Sequence, residues 1–294
     1  MTSLLAALLM LVAADGTRVL GFSSLRVEPG VREAGMGGAG GAAAFGPQAI
    51  VWNPSANAGA EGFSATVHYT NWLLDMHQQS VFVARSTPVL GIGLGAVSFS
   101  AGQFEYRTDP TAEPIGTFEP VEMTFYLNLA RRVVERVDAG ITVRYFYSRI
   151  MADAATGLGL DGGVRVRPWR ALSLGASVVD FGQTLTYERE VFWLPTRGRL
   201  GAGYDLTPLD RLRVTAAVDG EYYFYSGEPG ITAGVEAAWD ELVLVRAGYD
   251  FLGDGQRLSA GLGLKLGRFH FDYGLAPLRR DLGVGHRLSL GFGY

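Results

Sequence analysis

Val121-Glu122-Met123-Thr124-Phe125-Tyr126-Leu127-Asn128-Leu129-Ala130 alternates without interruption. Met123, Phe125, Leu127 and Leu129 share one parity; Glu122, Thr124, Tyr126 and Asn128 share the other. Successive side chains of a β-strand point to opposite faces, so the stretch predicts a strand with one apolar and one polar side. The same period runs outward in both directions. Phe63, Ala65, Val67 and Tyr69 oppose Ser64, Thr66, His68 and Thr70. Val137, Ala139, Ile141, Val143 and Tyr145 oppose Asp138, Thr142 and Arg144. Further segments fall at 80–85, 89–100, 158–166, 172–181, 199–206, 212–222, 231–239, 242–251, 258–266, 269–276 and 286–294. About fourteen segments result, each of a length that crosses a bilayer at a tilt.

The connections alternate too. Short turns follow every second segment: Thr87-Pro88, 131–136, 168–171, 207–210, Asp240-Glu241 and Gly267. The other connections are mostly longer: 71–77, 102–120, 149–156, 182–196, 223–230, 253–256 and 277–285. Short turns at one end and longer loops at the other are the pattern of an outer-membrane barrel. The expected fold is all-β, a transmembrane antiparallel barrel of about fourteen strands. A charge facing lipid at mid-bilayer costs about 2–4 kcal/mol, so Asp138, Arg144, Asp161, Arg165, Asp219, Arg246, Asp250 and Asp272 are expected to line the lumen. There they form a structural charge network or select a ligand directly.

Ahead of the strands, residues 31–59 read VREAGMGGAGGAAAFGPQAIVWNPSANAG. This stretch is rich in Gly and Ala, nearly free of charge after Glu33, and lacks any strand or helix stripe. A segment with so little surface of its own suits the inside of a barrel, as a plug. Asn53 is placed to cap a short helix with Pro54 at its first position, ending near Gly59. Gly35-Met36-Gly37-Gly38-Ala39-Gly40 also spells a dinucleotide fingerprint, but no apolar strand precedes it and no strand–helix units follow.

Residues 31–39 (VREAGMGGA) followed by Trp52-Asn53-Pro54 resemble the N-terminus of the PorV/PorQ-type outer-membrane proteins, relatives of the FadL channels for hydrophobic solutes. The likeness continues in Thr117-Phe118, Leu129-Ala130-Arg131-Arg132, Asp180-Phe181-Gly182, Leu194-Pro195 and Arg287-Leu288-Ser289-Leu290. The turn usual in the family is Asn-Pro-Ala; here Ser55 takes the third place. The resemblance implies a hatch carried by Gly35, Gly37, Gly38, Trp52, Asn53 and Pro54. It also implies passive transport of a small hydrophobic solute, or cargo carriage with a type IX secretion system; a sealed structural barrel is the third alternative.

In the third segment Leu90, Ile92 and Leu94 share one parity, whereas Val97 and Phe99 share the other. This predicts a β-bulge at Gly95-Ala96, with Gly91, Gly93 and Gly95 bare on the opposite face. In FadL channels a kink in the third strand opens the wall, so a lateral gap is expected here, with a bulge for curvature alone as the alternative. Two connections on the longer-loop side are apolar: Trp72-Leu73-Leu74 and Val191-Phe192-Trp193-Leu194. Trp72, Leu73, Phe192 and Trp193 are therefore candidates for a hydrophobic landing site, or for an interfacial girdle.

Residues 3–14 (SLLAALLMLVAA) read as a secretory signal peptide, too short to span a membrane. The domain scheme is thus 1–14 signal, 15–61 extension and plug, 62–294 barrel, with residues 15–30 expected on the periplasmic side. An exported chain without spanning helices can cross a membrane only as a closed barrel, which places it in a bacterial outer membrane. The last residues, Leu288-Ser289-Leu290-Gly291-Phe292-Gly293-Tyr294, resemble the signal read by the barrel-insertion machinery. With 48% hydrophobic residues and 41 glycines the composition fits a barrel wall. The absence of cysteine excludes disulfides and thiolate metal sites. His68, His77, His270 and His286 lie on separate segments, and no nucleophile-elbow or metal-binding spacing occurs, so neither an enzyme nor a cofactor is expected. A net charge of −4 without a basic block gives nucleic acid no footing.

Overall fold

The computed structural model describes residues 21–59, 61–108, 113–182, 185–187, 190–252, 258–277 and 283–293. The signal peptide at 1–14 and Tyr294 lie outside them. The strands are β1 (Gly62–Asn71), β2 (His77–Ser86), β3 (Leu90–Ser100), β4 (Phe104–Tyr106), β5 (Gly116–Phe118) and β6 (Val121–Val134). They continue as β7 (Val137–Ile150), β8 (Asp153–Trp169), β9 (Leu172–Gly182), β10 (Leu185–Tyr187), β11 (Glu190–Phe192) and β12 (Arg197–Leu209). The last six are β13 (Leu212–Tyr223), β14 (Pro229–Trp239), β15 (Val243–Asp250), β16 (Leu258–Leu266), β17 (Phe269–Pro277) and β18 (Val284–Phe292). Among the described residues fourteen strands form one closed antiparallel barrel in sequence order; β4–β5 and β10–β11 are small hairpins in the longer loops. β1 closes the barrel on β18, from Ala65 opposite Phe292 to Asn71 opposite His286.

The two faces sort as alternation requires. Phe125, Leu127, Ile141, Val143, Leu158, Leu160, Val245 and Leu262 are exposed on the outer wall, while Thr124, Asn128, Thr142, Arg144 and Asp161 are buried inside. Exposed aliphatics recur on strand after strand, far beyond the patch of a few hundred Å² usual on a soluble monomer. The outer wall is therefore the lipid face of a transmembrane barrel, whose closure leaves no unpaired sheet edge in hydrocarbon.

Three expectations are corrected. The bulge and gap at Gly95-Ala96 are absent: β3 pairs with β2 from His77–Ser100 to Ser86–Gly91 and with β6 from Leu90–Arg131 to Ser100–Val121, without a register shift. The outer wall is recessed over β1, β2, β3, β6, β17 and β18, a hollow of about 700 Å³ bordered by Val67, Val81, Ala96, Phe125 and Leu288. The ladders beneath it are continuous, so it is not a hole. Val97 and Phe99 keep parity with the glycines and face inward, because the plug offers them apolar contact there. A bulge occurs instead in β9, where Leu160 pairs with Phe181 but Gly162 pairs with Val178. Asp180 adopts φ 59°, and both Val179 and Asp180 turn inward.

The second correction concerns the N-terminal segment. Residues 21–30 lie at the longer-loop end, not the short-turn end: Gly21 N–H donates to Trp193 O at 2.9 Å, and Phe22 packs with Phe146, Ala155 and Leu194. The apolar cluster around Phe22, with its ring 5.4 Å from that of Phe146, holds the segment to this path. Third, the connection 149–156 is not a loop, because β7 and β8 extend until Met151 and Ala152 alone join them.

Candidate functional site

The plug fills the waist of the lumen. It starts with α1 (Val31–Gly35), turns through Gly37 and Gly38 at positive φ, and continues through two 3₁₀ turns at Pro47–Val51 and Pro54–Asn57. Asn53 caps the second, its Oδ1 accepting from Ser55 N at 3.0 Å and from Ser55 Oγ at 2.8 Å, with Pro54 at the first helical position. Asn53 Nδ2 donates to Gly41 O at 2.8 Å and to Val164 O on the wall at 3.2 Å. Trp52 Nε1 donates to Pro29 O at 3.1 Å, and the Arg199 guanidinium lies 4.7 Å from the Trp52 ring centre.

The seat for this plug is a set of wall glycines. A β-carbon at Gly248 would lie 2.0 Å from Gly37 N, one at Gly234 2.2 Å from Met36 O, and one at Gly175 2.2 Å from Gly41 O. One at Gly140 would meet Pro54 O at 2.2 Å, and one at Gly91 would meet Asn57 O at 2.2 Å. Backbone lies against backbone around the waist, which only bare wall positions permit. Gly91 and Gly93 thus accommodate Asn57, and Gly95 accommodates the ring of Phe82. Asn128, fully buried, donates to Pro54 O at 2.9 Å and Thr142 Oγ1 at 2.9 Å, and accepts from Asn57 Nδ2 at 3.2 Å.

The inward charges pair with one another. Arg144 bridges Asp161 at 2.5 Å and Asp180 at 2.6 Å, and the β9 bulge is what aims the Asp180 carboxylate at it. Asp138 is contacted by Arg132, Arg165 and Arg167 at 3.3, 3.2 and 2.6 Å. Arg246 joins Glu236 and Asp272, each at 2.6 Å, and Arg32 of the plug reaches the same Glu236 at 2.9 Å. Glu28, just ahead of α1, is clamped by Arg197 and by Arg199 at 3.0 Å, while Arg287 donates to its carbonyl at 2.6 Å. Burial raises the Glu28 carboxyl above the usual range despite the two arginines; burial likewise raises Glu33, only partly offset by Arg32.

A cavity lies on each side of the plug. The inner one, about 260 Å³, is bordered by Arg32, Phe45, Arg165, Arg213, Glu236 and Arg246. The outer one, about 360 Å³, is bordered by Trp52, Trp72, Arg197, Tyr223, Asp250 and Arg287. The four aromatic-loop candidates separate. Trp72 borders the outer cavity, whereas Phe192 packs against Gly21 and the Phe22 cluster, and Trp193 meets Tyr225 in a tilted ring contact at 5.3 Å. Leu73 closes the β1–β2 turn, its carbonyl accepting from Met76 N at 3.0 Å. Sequence reasoning missed Glu28, Asn128, Arg197, Arg199 and Arg287. The signal for the last four was available: each sits on the polar parity of its strand.

No protein-family profile matches the chain, and no curated protein sequence does. Solved structures do match. The toluene transporter TodX of Pseudomonas putida aligns with a TM-score of 0.68 at 11% identity, over 90% of this chain and 98% of that one. The Ralstonia pickettii toluene transporter TbuX aligns at 0.62 and 13% identity, over 90% and 98%. The monoaromatic hydrocarbon channel CymD aligns at 0.65 and 12%, over 91% and 98%. A FadL homologue from Pseudomonas aeruginosa aligns at 0.54 and 13%, over 89% and 97%. At such identities the likeness is one of architecture. Along nearly its whole length, this chain has the fold of the FadL-type hydrophobic-solute channels.

Proposed function

We propose that the protein is an outer-membrane channel for passive passage of a small solute with an apolar body. The observation that carries this is an apolar outer wall closed around a plug held only by noncovalent contacts, with a cavity on either side. The proteins it resembles in fold are transporters of toluene and other monoaromatic hydrocarbons, which supports an apolar cargo here. Passage then requires the plug to leave its glycine seat, since the wall at Gly91–Gly95 is intact. The residues 31–39 and Trp52-Asn53-Pro54 support the narrower PorV/PorQ type. The strand ending at Phe292 is the part offered to the insertion machinery.

The absence of cysteine makes a reversible lock available. A β-carbon at Gly203 on β12 would lie 3.3 Å from Ala43 Cβ of the plug. Disulfides have a mean Cβ separation of about 3.8 Å, so Ala43→Cys with Gly203→Cys should form one. Uptake of a lipophilic dye into vesicles holding the oxidised double variant should fall to that of empty vesicles and recover on reduction. Uptake indifferent to the lock, or no faster than in empty vesicles for the unlocked protein, rejects the channel. Pull-down of exported proteins tests the alternative of a secretion carrier.

A further inference from the structure

We propose that the outer cavity is a binding site for a small aromatic carboxylate, held through Arg287. This deepens the channel reading by naming the class of solute, and rests on it for the route the solute takes. Arg287 is 6% exposed and points from β18 into the space between plug and wall. Among the described residues no carboxylate lies within ion-pair distance of it. The other buried arginines of the network, Arg144, Arg197, Arg199 and Arg246, each contact at least one acid at 3.0 Å or less. Glu28 gives Arg287 only its carbonyl, because Arg197 and Arg199 hold its carboxylate.

A buried guanidinium without an anion is strongly disfavoured, and its planar fork matches a carboxylate in two-point contact. The acids around the cavity do not repel such a ligand on balance. Glu221 contacts Arg199 at 3.0 Å and Glu228 contacts Arg26 at 2.7 Å; with Glu28 and Asp250 the cavity's four acids are matched by Arg26, Arg197, Arg199 and Arg287. The walls suit a flat apolar body: Trp72 lies 5.3 Å from the Arg287 guanidinium, and Trp52 and Tyr223 border the same space. At about 360 Å³ the cavity is at the lower end of small-ligand sites, which excludes a long acyl chain.

Calorimetric titration of the purified full-length protein in detergent with benzoate tests this, with toluene as the uncharged match in shape. Saturable benzoate binding is expected, weakened about tenfold or more by Arg287→Gln, partly retained in Arg287→Lys and weakened severalfold by Trp72→Leu, which removes the ring beside the guanidinium. Toluene should not displace benzoate. Absence of benzoate binding, equal affinity in Arg287→Gln, or displacement by toluene overturns the assignment. If Arg287→Gln loses the heat-modifiable gel migration of a folded barrel, Trp72→Leu decides alone, and an unchanged affinity there overturns it. Dye uptake by the same preparations is a separate readout. Binding without uptake removes the channel and keeps the site, whereas uptake without binding does the reverse.

Discussion

Gly162 and Gly163 are adjacent on β8 and face opposite sides of the wall. A β-carbon at Gly163 would lie 2.2 Å from Asn53 Oδ1 and 2.7 Å from Pro54 Cδ, whereas one at Gly162 would meet nothing within 4 Å. Neither residue has positive φ, so Gly163→Ala and Gly162→Ala are both free of backbone strain. Regaining ordinary contact at Gly163 moves the plug tip by about 1.2 Å, an overpacking that costs about 1–3 kcal/mol. The same shift breaks the Asn53 bonds to Val164 O and Gly41 O, each contributing about 1 kcal/mol net. The lower end of that sum, about 3 kcal/mol, raises the unseated fraction roughly a hundredfold. The assay is maleimide labelling of a reporter, Ala58→Cys, which is buried in the seated plug of an otherwise cysteine-free chain. Labelling follows the open population when closure is fast. Gly163→Ala should accelerate it by about two orders of magnitude and Gly162→Ala should leave it unchanged. Equal labelling in the two variants would falsify the glycine-seat argument.

Three other outcomes are expected. Arg144→Ala strands Asp161 and Asp180 in the interior and should cost about 3–5 kcal/mol; an unchanged melting midpoint in detergent would show that the pairing is immaterial. Leu160→Arg, on the lipid face of the same strand region, should cost about 2–4 kcal/mol in urea unfolding from vesicles. Burial raises the Glu33 carboxyl in the seated plug, so protonation favours seating: reporter labelling, normalised to denatured protein, should slow as pH falls from neutral toward the ordinary carboxylate range and quicken as pH rises through the raised value. Glu33→Gln should flatten that profile, and a slope unchanged in the variant counts against Glu33.

The wall was legible because period-2 alternation is enforced on every strand by two unlike surroundings, hydrocarbon outside and charge or plug inside. Val121 to Ala130 needs no partner to declare its faces. The plug was legible from its bareness, since a segment of Gly and Ala has nothing to bury except backbone. The misreading at β3 has one physical source: apolar was equated with outward. Val97 and Phe99 face inward because the plug region is apolar in places, around Val51, Pro29 and Leu25. The same assumption hid the β9 bulge, where Val178, Val179, Asp180 and Phe181 shift parity in plain view. The course of residues 21–30 was not legible, because it is set by a pocket assembled from β7, β8 and the segment near Leu194, far apart in sequence.

The chain's path has a consequence for assembly. Residues 21–30 rest at one mouth of the barrel, and β1 begins at the other, so the intervening stretch runs the full height of the cylinder. A finished cylinder would have to be threaded from end to end to reach that state. The simpler order is that the strands curl around a leader already laid in place, and the β1–β18 seam is zipped last. On that view the first stretch to emerge serves as a mandrel on which the later strands are wound.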